Sequence, residues 1–366
     1  MSLSKGNTKY EIRDTNLVAV AMSGGVDSSA AAAILKEQGY SVVGINLRLW
    51  DLPDHLQASK TCCSTEDRRD AKTVCDILDI PFKLLDLRKE FENLVIDSFV
   101  SDYRLGRTPN PCILCNEHVK FKLLFDYAKT LGAKYLATGH YVNRIEINKH
   151  FTLSRAKDSK KDQSYFLFSI SPENLKNIIF PNADFTKDEI RNIAQKHKLP
   201  IFKKNDSQEI CFIEDNNHHR FIRAYLNIDK KEEGYFVDIH GNKLKKHEGI
   251  DKYTIGQRRG MGIANSTPLY ISNIDQKTNQ ITVSDKKYCY AKNLKANNAN
   301  WFLKVDQEFK AQAKIRNNHA QANCTVKILS ETCFELEFEE EQFAITPGQA
   351  AVVYKDDILL GGGWIE

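Results

Sequence analysis

Three short stretches of this 366-residue chain hold residue types suited to chemistry. The first is SGGVDSS, Ser23 to Ser29, set between an apolar run and an alanine-rich segment. Glycines at a strand-to-helix turn let backbone N–H groups converge on an anion, and the helix N-terminus adds partial positive charge. Ser23, Gly24, Gly25, Asp27, Ser28 and Ser29 supply that shape with hydroxyls and one carboxylate, so the stretch predicts a phosphate site. It lacks the Gly-Lys-Ser/Thr that grips the far end of a nucleotide triphosphate. Which phosphate bond the loop serves is therefore open at this point.

The other two stretches are thiols. Cys112 and Cys115 stand in a CxxC spacing behind Pro109-Asn110-Pro111, and Cys211 lies between Ile210 and Phe212, downstream of Lys203-Lys204. A cysteine whose pKa is lowered by cationic surroundings is a nucleophile or sulfur carrier, whereas one among apolar neighbours is a small buried hydrophobe. The flanking prolines and lysines point to accessible, electropositive settings; the apolar neighbours point to packing. Cys62-Cys63 is a further cluster, but adjacent cysteines chelate one metal awkwardly, and a four-cysteine zinc site needs two well-spaced pairs. No metal site is assigned. Cys75, Cys289, Cys324 and Cys333 stand singly and read as buried packing residues.

Elements must hold these residues together. Strands are predicted at Leu17 to Met22, Val42 to Leu47, Phe82 to Asp86 and Tyr135 to Thr138, the last running into Gly139-His140. Helices are predicted at Ser28 to Gln38, Glu66 to Leu78 and Lys120 to Leu131, closed by Gly39, Pro81 and Gly132. Strands alternating with helices imply an α/β domain with a parallel sheet covered on both faces. After about Glu214 the texture changes: GYFVDIHGNKLKKHEG predicts a hairpin turning at His240-Gly241-Asn242. Cys333 to Glu339 alternates apolar and charged residues, and Thr346-Pro347-Gly348-Gln349 marks a turn before a strand at Ala350 to Tyr354. The C-terminal third therefore predicts a small β-barrel.

Composition bounds the answer more loosely. A chain of this length exceeds one core, so two or three domains are expected; the boundaries adopted are 1–214, 215–284 and 285–366. The formal charge of +4 permits a nucleic-acid partner without proposing one. The opening MSLSKGNTKYEIRD has neither a signal peptide's apolar core nor a transit peptide's shortage of acids, and nothing approaches a membrane span. Nine scattered cysteines then read as reduced thiols in a cytoplasmic protein.

SGGVDSS resembles the pyrophosphate loop of the ATP pyrophosphatase superfamily, whose members split ATP between the α and β phosphates and place AMP on a carbonyl or amide oxygen. GRTPNPCILCNEHVKF, ATGHYV, KDQSYFLF, KKNDSQEICFIED, YTIGQRRGMGI, ITPGQAAVVY and LGGGWIE, in that order, resemble the tRNA-specific 2-thiouridylases over nearly the whole chain. That family replaces the 2-oxygen of the wobble uridine with sulfur. The resemblance implies ATP and Mg²⁺ as cofactors, with tRNA and a persulfide sulfur-donor protein as partners. It implies that Cys211 carries a persulfide and Cys115 is its catalytic partner, either releasing sulfide or resolving the persulfide, so that either route can leave a Cys115–Cys211 disulfide.

By the same match Ala21, Met22, Ser23, Gly24, Gly25, Val26, Asp27 and Ser28 would hold the triphosphate, with Asp27 nearest to Mg²⁺. Leu47 would face adenine, though it reads equally as core, and Gly139 would approach the nucleotide. Asn110, Pro111 and Cys112 would border the target base; His140, Lys161, Asp162, Gln163, Arg316, Asn317 and Gln349 would contact tRNA. The basic pairs Lys160-Lys161, Lys203-Lys204, Lys245-Lys246 and Arg258-Arg259 would suit spread phosphate contacts. Two departures stand out: Cys112 occupies a place where many relatives have aspartate, and Arg316-Asn317 replaces a more aromatic pair. With Cys112 a thiol, a redox pair or, together with Cys115 and Cys211, three ligands of an iron–sulfur cluster become alternatives. The rival functions are an amide-forming synthetase of the same superfamily, which would not need the two cysteines, and a tRNA-binding protein that releases no AMP.

Overall fold

Val18, Ala19 and Val20 are fully buried because β1 (Leu17–Ala21) is the middle strand of a parallel sheet. The computed structural model describes residues 17–51, 65–204, 210–213, 215, 217–230 and 232–366; Cys62, Cys63 and part of the KKNDSQEICFIED stretch lie outside them. In the sheet, β1 pairs with β2 (Ser41–Arg48) on one side and with β4 (Tyr135–Ala137) on the other. The edges are β3 (Phe82–Asp86) and β7 (Ile178–Ile179), giving the order β3-β2-β1-β4-β7. As expected of a parallel sheet, apolar side chains leave both faces. Val18, Val20 and Val42 pack with Ala30, Ala32, Ala33 and Leu35 of α1 (Val26–Glu37), while Ala19, Val43 and Ile45 pack toward Phe121, Leu124 and Phe125.

The first face also takes Ala71, Val74 and Cys75 of α2 (Thr65–Ile77). A Cβ at Gly44 would lie 2.5 Å from the Cys75 sulfur, which shows how closely helix and strand approach. Burial pushes the Cys75 thiol up to about 12, the inert packing role expected. Cys289 and Cys324 are likewise buried, but Cys333 is only half-buried, at the start of a strand.

Two helices exceed their sequence forecast. The run α3 (88–104) was not anticipated, and α4 (111–130) begins well before Lys120. Pro111 occupies the first turn of α4, where its missing N–H costs nothing. The backbone widens to π-helical turns over Glu92–Ile96 in α3 and over Cys115–Leu124 in α4. A third helix, α5 (Lys187–Lys196), starts with a capping box in which Thr186 and Glu189 exchange bonds.

Between β4 and β7 the chain makes a hairpin, β5 (Asn143–Ile147) and β6 (His150–Ser154), that leaves the parallel sheet and joins the C-terminal module. The central module orders its strands β10-β11-β8-β9, with β8 (Gly234–Val237), β9 (Lys243–His247), β10 (Tyr270–Asp275) and β11 (Gln280–Ser284). The expected turn forms there: Asp238 Oδ1 accepts from the N–H groups of His240 and Asn242, each at 2.9 Å.

The C-terminal module is the barrel the alternation predicted. Its antiparallel strands are β12 (Tyr290–Trp301), β13 (Glu308–Lys314), β14 (Ala322–Ser330), β15 (Cys333–Phe343), β16 (Ala350–Lys355) and β17 (Ile358–Ile365). Pairing of β12 with both β15 and β17 closes the barrel. Phe334, Leu336 and Phe338 point inward and are buried, while Glu335, Glu337 and Glu339 stay wet. Beta-strand β6 adds to β17 through Leu153 and Ser154, and Thr152 Oγ1 donates to Leu359 O at 2.5 Å. The run Gly361-Gly362-Gly363 lets β17 pass tightly: Cβ atoms at Gly362 and Gly363 would lie 2.9 and 2.8 Å from the Phe168 and Phe334 rings.

Phe334 is fully buried with Trp301 at 5.2 Å between ring centroids. Phe334→Ala is expected to cost about 3–5 kcal/mol, as large-to-small core changes do. Denaturant unfolding of the variant checks this, and a loss under about 1 kcal/mol would contradict a close-packed barrel.

Candidate functional site

The loop after β1 is shaped by its own hydroxyls. Ser23 N–H donates to Ser28 Oγ at 3.2 Å; Ser28 and Ser29 hydroxyls donate to Gly25 O at 3.1 and 2.9 Å. Gly25 caps α1 without any side-chain cap, which leaves first-turn N–H groups facing outward for an anion. Gly24 has φ +81, and a Cβ there would lie 2.2 Å from Asp67 O. Gly139 is equally tight, its Cβ position 2.6 Å from Asp27 C. Both positions accept only glycine, one for conformation and one for approach.

Asp27 faces inward onto a brace that the sequence did not announce. Lys187 Nζ from α5 donates to both of its carboxylate oxygens at 2.8 Å, and Tyr141 OH donates to Oδ1 at 2.6 Å. Asn182 Nδ2 donates to the carbonyls of Asp27 and Gly139 at 3.0 and 2.9 Å. Asp27 thus ties the loop to three other segments. Its expected role as nearest Mg²⁺ ligand meets a carboxylate already bound to an ammonium and a phenol.

A cavity of about 460 Å³ opens on this loop. Ala21, Met22, Ser23, Gly25, Val26, Asp27, Ser28, Leu47 and Gly139 line it, and so do Pro111, Cys112, Cys115, His140, Lys161, Gln163 and Cys211. Phosphate loop and all three thiols therefore share one space. Asn46, Lys120 and Lys204 line it as well, and sequence reasoning passed over Asn46 and Lys120. Asn46, buried, donates to Met22 O at 2.7 Å and fixes the end of β1.

The thiols differ in setting. Cys112 is exposed, Cys211 half-buried and Cys115 buried at 6% exposure. The accessible setting expected for Cys115 is overturned, because the prolines before it start a helix whose apolar face packs on Phe91, Val95 and Phe212. Burial pushes the Cys115 thiol up, and the Lys120 ammonium opposes it. Burial and Lys120 together hold His140 well below its usual value, so its imidazole is neutral, with Thr138 Oγ1 2.8 Å from Nδ1.

Lys204 does not lend Cys211 a bare positive charge either. Burial works against its ammonium, but hydrogen bonds from it to Asp67 (2.6 Å) and Asp70 (2.5 Å) prevail and raise its pKa; Gly24 O accepts at 3.3 Å. Lys203 lies over the Phe202 ring. Lys245 donates to the carbonyls of Met261 and Gly262, and Lys246 pairs with Glu233. Among the described residues no three His, Cys, Asp or Glu side chains converge as metal ligands, so the cysteines do not fit a cluster site as arranged.

Other expected residues sit outside the cavity lining. Asp162 is turned inward: Ser164 Oγ donates to it at 2.8 Å and Ala156 N–H at 3.2 Å, which shapes the loop presenting Lys161 and Gln163. Gln163 and Tyr141 exchange bonds at 2.9 and 3.0 Å. Asn110 caps α4. Arg316 donates to Phe343 O, and Asn317 to Asn318, both within the barrel module. Gln349 Nε2 donates to the carbonyls of Thr108 and Pro109, at 2.9 and 3.3 Å, so it holds the segment leading into α4.

Comparison with known proteins follows the same three modules. Residues 16–215 match the model of a tRNA methyl transferase HUP domain, 219–285 that of a tRNA methyl transferase PRC-barrel domain and 291–365 that of an aminomethyltransferase β-barrel domain. A tRNA-specific 2-thiouridylase from Clostridium perfringens is 44% identical, covering 95% of this chain and 98% of its own. One from Geotalea uraniireducens is 42% identical over 95% and 94% of the two chains. A solved 4-thiouridine synthetase–RNA complex with bound ATP shares 16% identity at a TM-score of 0.35, covering 55% of this chain and 46% of its own. A likeness that weak carries no weight beside the sequence relatives.

Gly24→Ala tests the loop directly. Left-handed backbone costs a residue with a Cβ about 1–2 kcal/mol, and here the Cβ also meets the Asp67 carbonyl. The expected outcome in calorimetric titration is loss of ATP binding by the variant; parent-like affinity would show that the loop does not cradle phosphate.

Proposed function

The chain belongs to the tRNA-specific 2-thiouridylase family, and from that premise we propose that it uses ATP to replace the 2-oxygen of the wobble uridine of tRNA with sulfur. The observation that carries the reading is the single cavity lined by the Ser23–Ser28 loop and by Cys112, Cys115 and Cys211. An adenylating enzyme that also delivers sulfur needs both at one place. An amide-forming synthetase has no use for the second set, and a plain tRNA binder for neither.

In this reading the uncapped N–H groups of α1 hold the phosphates, Leu47 stands beside adenine, and Gly139 lets the nucleotide approach. The uridine 2-oxygen attacks the α-phosphorus of ATP and pyrophosphate leaves. The oxygen, a poor leaving group, thereby becomes part of AMP. Mg²⁺ accompanying ATP would offset the charge of the departing pyrophosphate, and Asp27, engaged by Lys187, would be the nearest carboxylate to organise it, directly or through water.

Sulfur then arrives from a Cys211 persulfide charged by a donor protein. In one route the Cys115 thiolate attacks the Cys211 sulfur, the Cys115–Cys211 bond forms, and the released sulfide displaces AMP from C2. In the other the terminal sulfur of the persulfide attacks C2 and AMP leaves, after which Cys115 attacks the Cys211 sulfur and frees the thiocarbonyl. Both end in a disulfide that must be reduced before the next turnover. A cytoplasmic site of action, where tRNA and thiol reductants coexist, goes with this chemistry.

Lys161 and Gln163, on the loop shaped by Asp162, and neutral His140 are the tRNA contacts this reading favours at the cavity. The target uridine leaves its stack to enter beside Cys115, which an anticodon loop permits more cheaply than a duplex. Cys112 borders the same base. Arg316, Asn317 and Gln349 belong to the outer tRNA surface, Gln349 acting through the Thr108-Pro109 carbonyls.

Unmodified tRNA incubated with the protein, Mg-ATP and a persulfide donor should yield 2-thiouridine at the wobble position together with AMP, read by nucleoside analysis. Neither product from folded protein with a competent donor would overturn the proposal. Cys115→Ser and Cys211→Ser should each abolish thiolation and leave tRNA affinity within about twofold; parent-rate thiolation by either variant removes that cysteine from the mechanism.

A further inference from the structure

The π-helical turns of α4 run from Cys115 to Leu124. In an ordinary α-helix the residue five places on stands about 140° round the axis. Where turns close through i→i+5 bonds each turn holds more residues, and the residue five places on comes round much nearer to the first. Lys120 is that residue for Cys115, and both line the cavity. The ammonium is held in place: Lys120 Nζ donates to Asn116 Oδ1 at 2.9 Å, and Asn116, itself buried, donates to Phe166 O at 3.1 Å.

Several other charges at the cavity are committed. Asp27 is bound by Lys187, and Lys204 by Asp67 and Asp70. Arg68 and Lys161 also line the cavity, and His140 is kept neutral. Cys112 and Cys211 present thiols. Among the described residues, the Lys120 ammonium is the charge that opposes the burial of the Cys115 sulfur.

We propose that the wide turns of α4 serve to bring Lys120 round toward Cys115 at the cavity wall, making Lys120 the positioning residue that stabilises the Cys115 thiolate. When the thiol ionises, its proton passes to water, and the new charge forms near the Lys120 ammonium inside an apolar cluster. With a thiol rather than a carboxylate at position 112, the first turn of α4 offers no carboxylate to take the proton. Favouring the thiolate of Cys115 itself does the work a base would do. The inference rests on Cys115 being the attacking sulfur, but its test needs neither tRNA nor ATP.

Alkylation of the full-length reduced protein by iodoacetamide, followed across pH with each cysteine resolved by mass spectrometry, gives the midpoint for Cys115. An opposite charge at contact range lowers a pKa by about one unit or more. Lys120→Met should therefore raise the Cys115 midpoint by about that amount, Lys120→Arg should restore it, and the Cys112 midpoint should stay put. Asn116→Ala, which lets Lys120 go without removing its charge, should shift it the same way by less, and it reads the same quantity if the methionine variant does not fold. An unmoved Cys115 midpoint in Lys120→Met, or in Asn116→Ala when that is the only folded variant, overturns the proposal. Such a failure would leave 2-thiouridine formation untouched as a separate question.

Discussion

The site depends first on the bracing of the N-terminus of α1. A loop that offers bare N–H groups to phosphate cannot satisfy them internally, so other segments must hold its shape. Asp27 supplies the attachment: its carboxylate takes Lys187 and Tyr141, and its carbonyl takes Asn182. A partly buried ion pair gives little net stability, because desolvation offsets attraction. What it fixes here is register. The turn after β4, the segment after β7 and α5 are all referenced to one residue of the loop, and Gly139 can then approach α1 as closely as its lack of a side chain allows.

A second set of ties fixes the other end of the cavity. The segment before α4 is gripped from two modules: Thr108 N–H donates to Pro347 O at 2.9 Å, Gln349 binds the next two carbonyls, and Thr254 of the central module meets the Thr108 hydroxyl at 3.3 Å. A Cβ at Gly348 would press on the Thr108 backbone at 3.0 Å. The barrel also receives β6 from the first half of the chain. Cys112 and Cys115 thus sit on a helix whose starting point is set by all three modules, although the catalytic loop belongs to one.

Within the cavity the chemistry is graded by water. Cys112 meets solvent, Cys211 is half-covered, and Cys115 lies against aromatic rings. A dry thiol resists ionisation and stray oxidation alike, and it becomes nucleophilic only where a nearby cation offsets the burial. Burial and the Lys120 ammonium keep His140 neutral beside it.

Much of this was legible from residues alone. The strand at Phe82 to Asp86 and the alternation from Cys333 onward appear as read, because period and glycine punctuation report local geometry. SGGVDSS announced a phosphate loop for the same reason, its function residing in backbone that one short stretch builds. The early start of α4 was missed although Pro111 marked it, since a proline after a proline reads more readily as loop. Lys187, Asn182 and Lys120 gave no signal, because their positions depend on partners far along the chain or on wide helical turns that no ordinary helical period suggests. The sequence by itself determined the modules, the phosphate loop and which cysteines to watch. Only the tertiary structure decided that loop and thiols share one cavity, that Cys115 is buried rather than exposed, and that Lys187 and Lys204 are committed to carboxylates. Proximity and desolvation are properties of the packed chain, and no single stretch of residues encodes them.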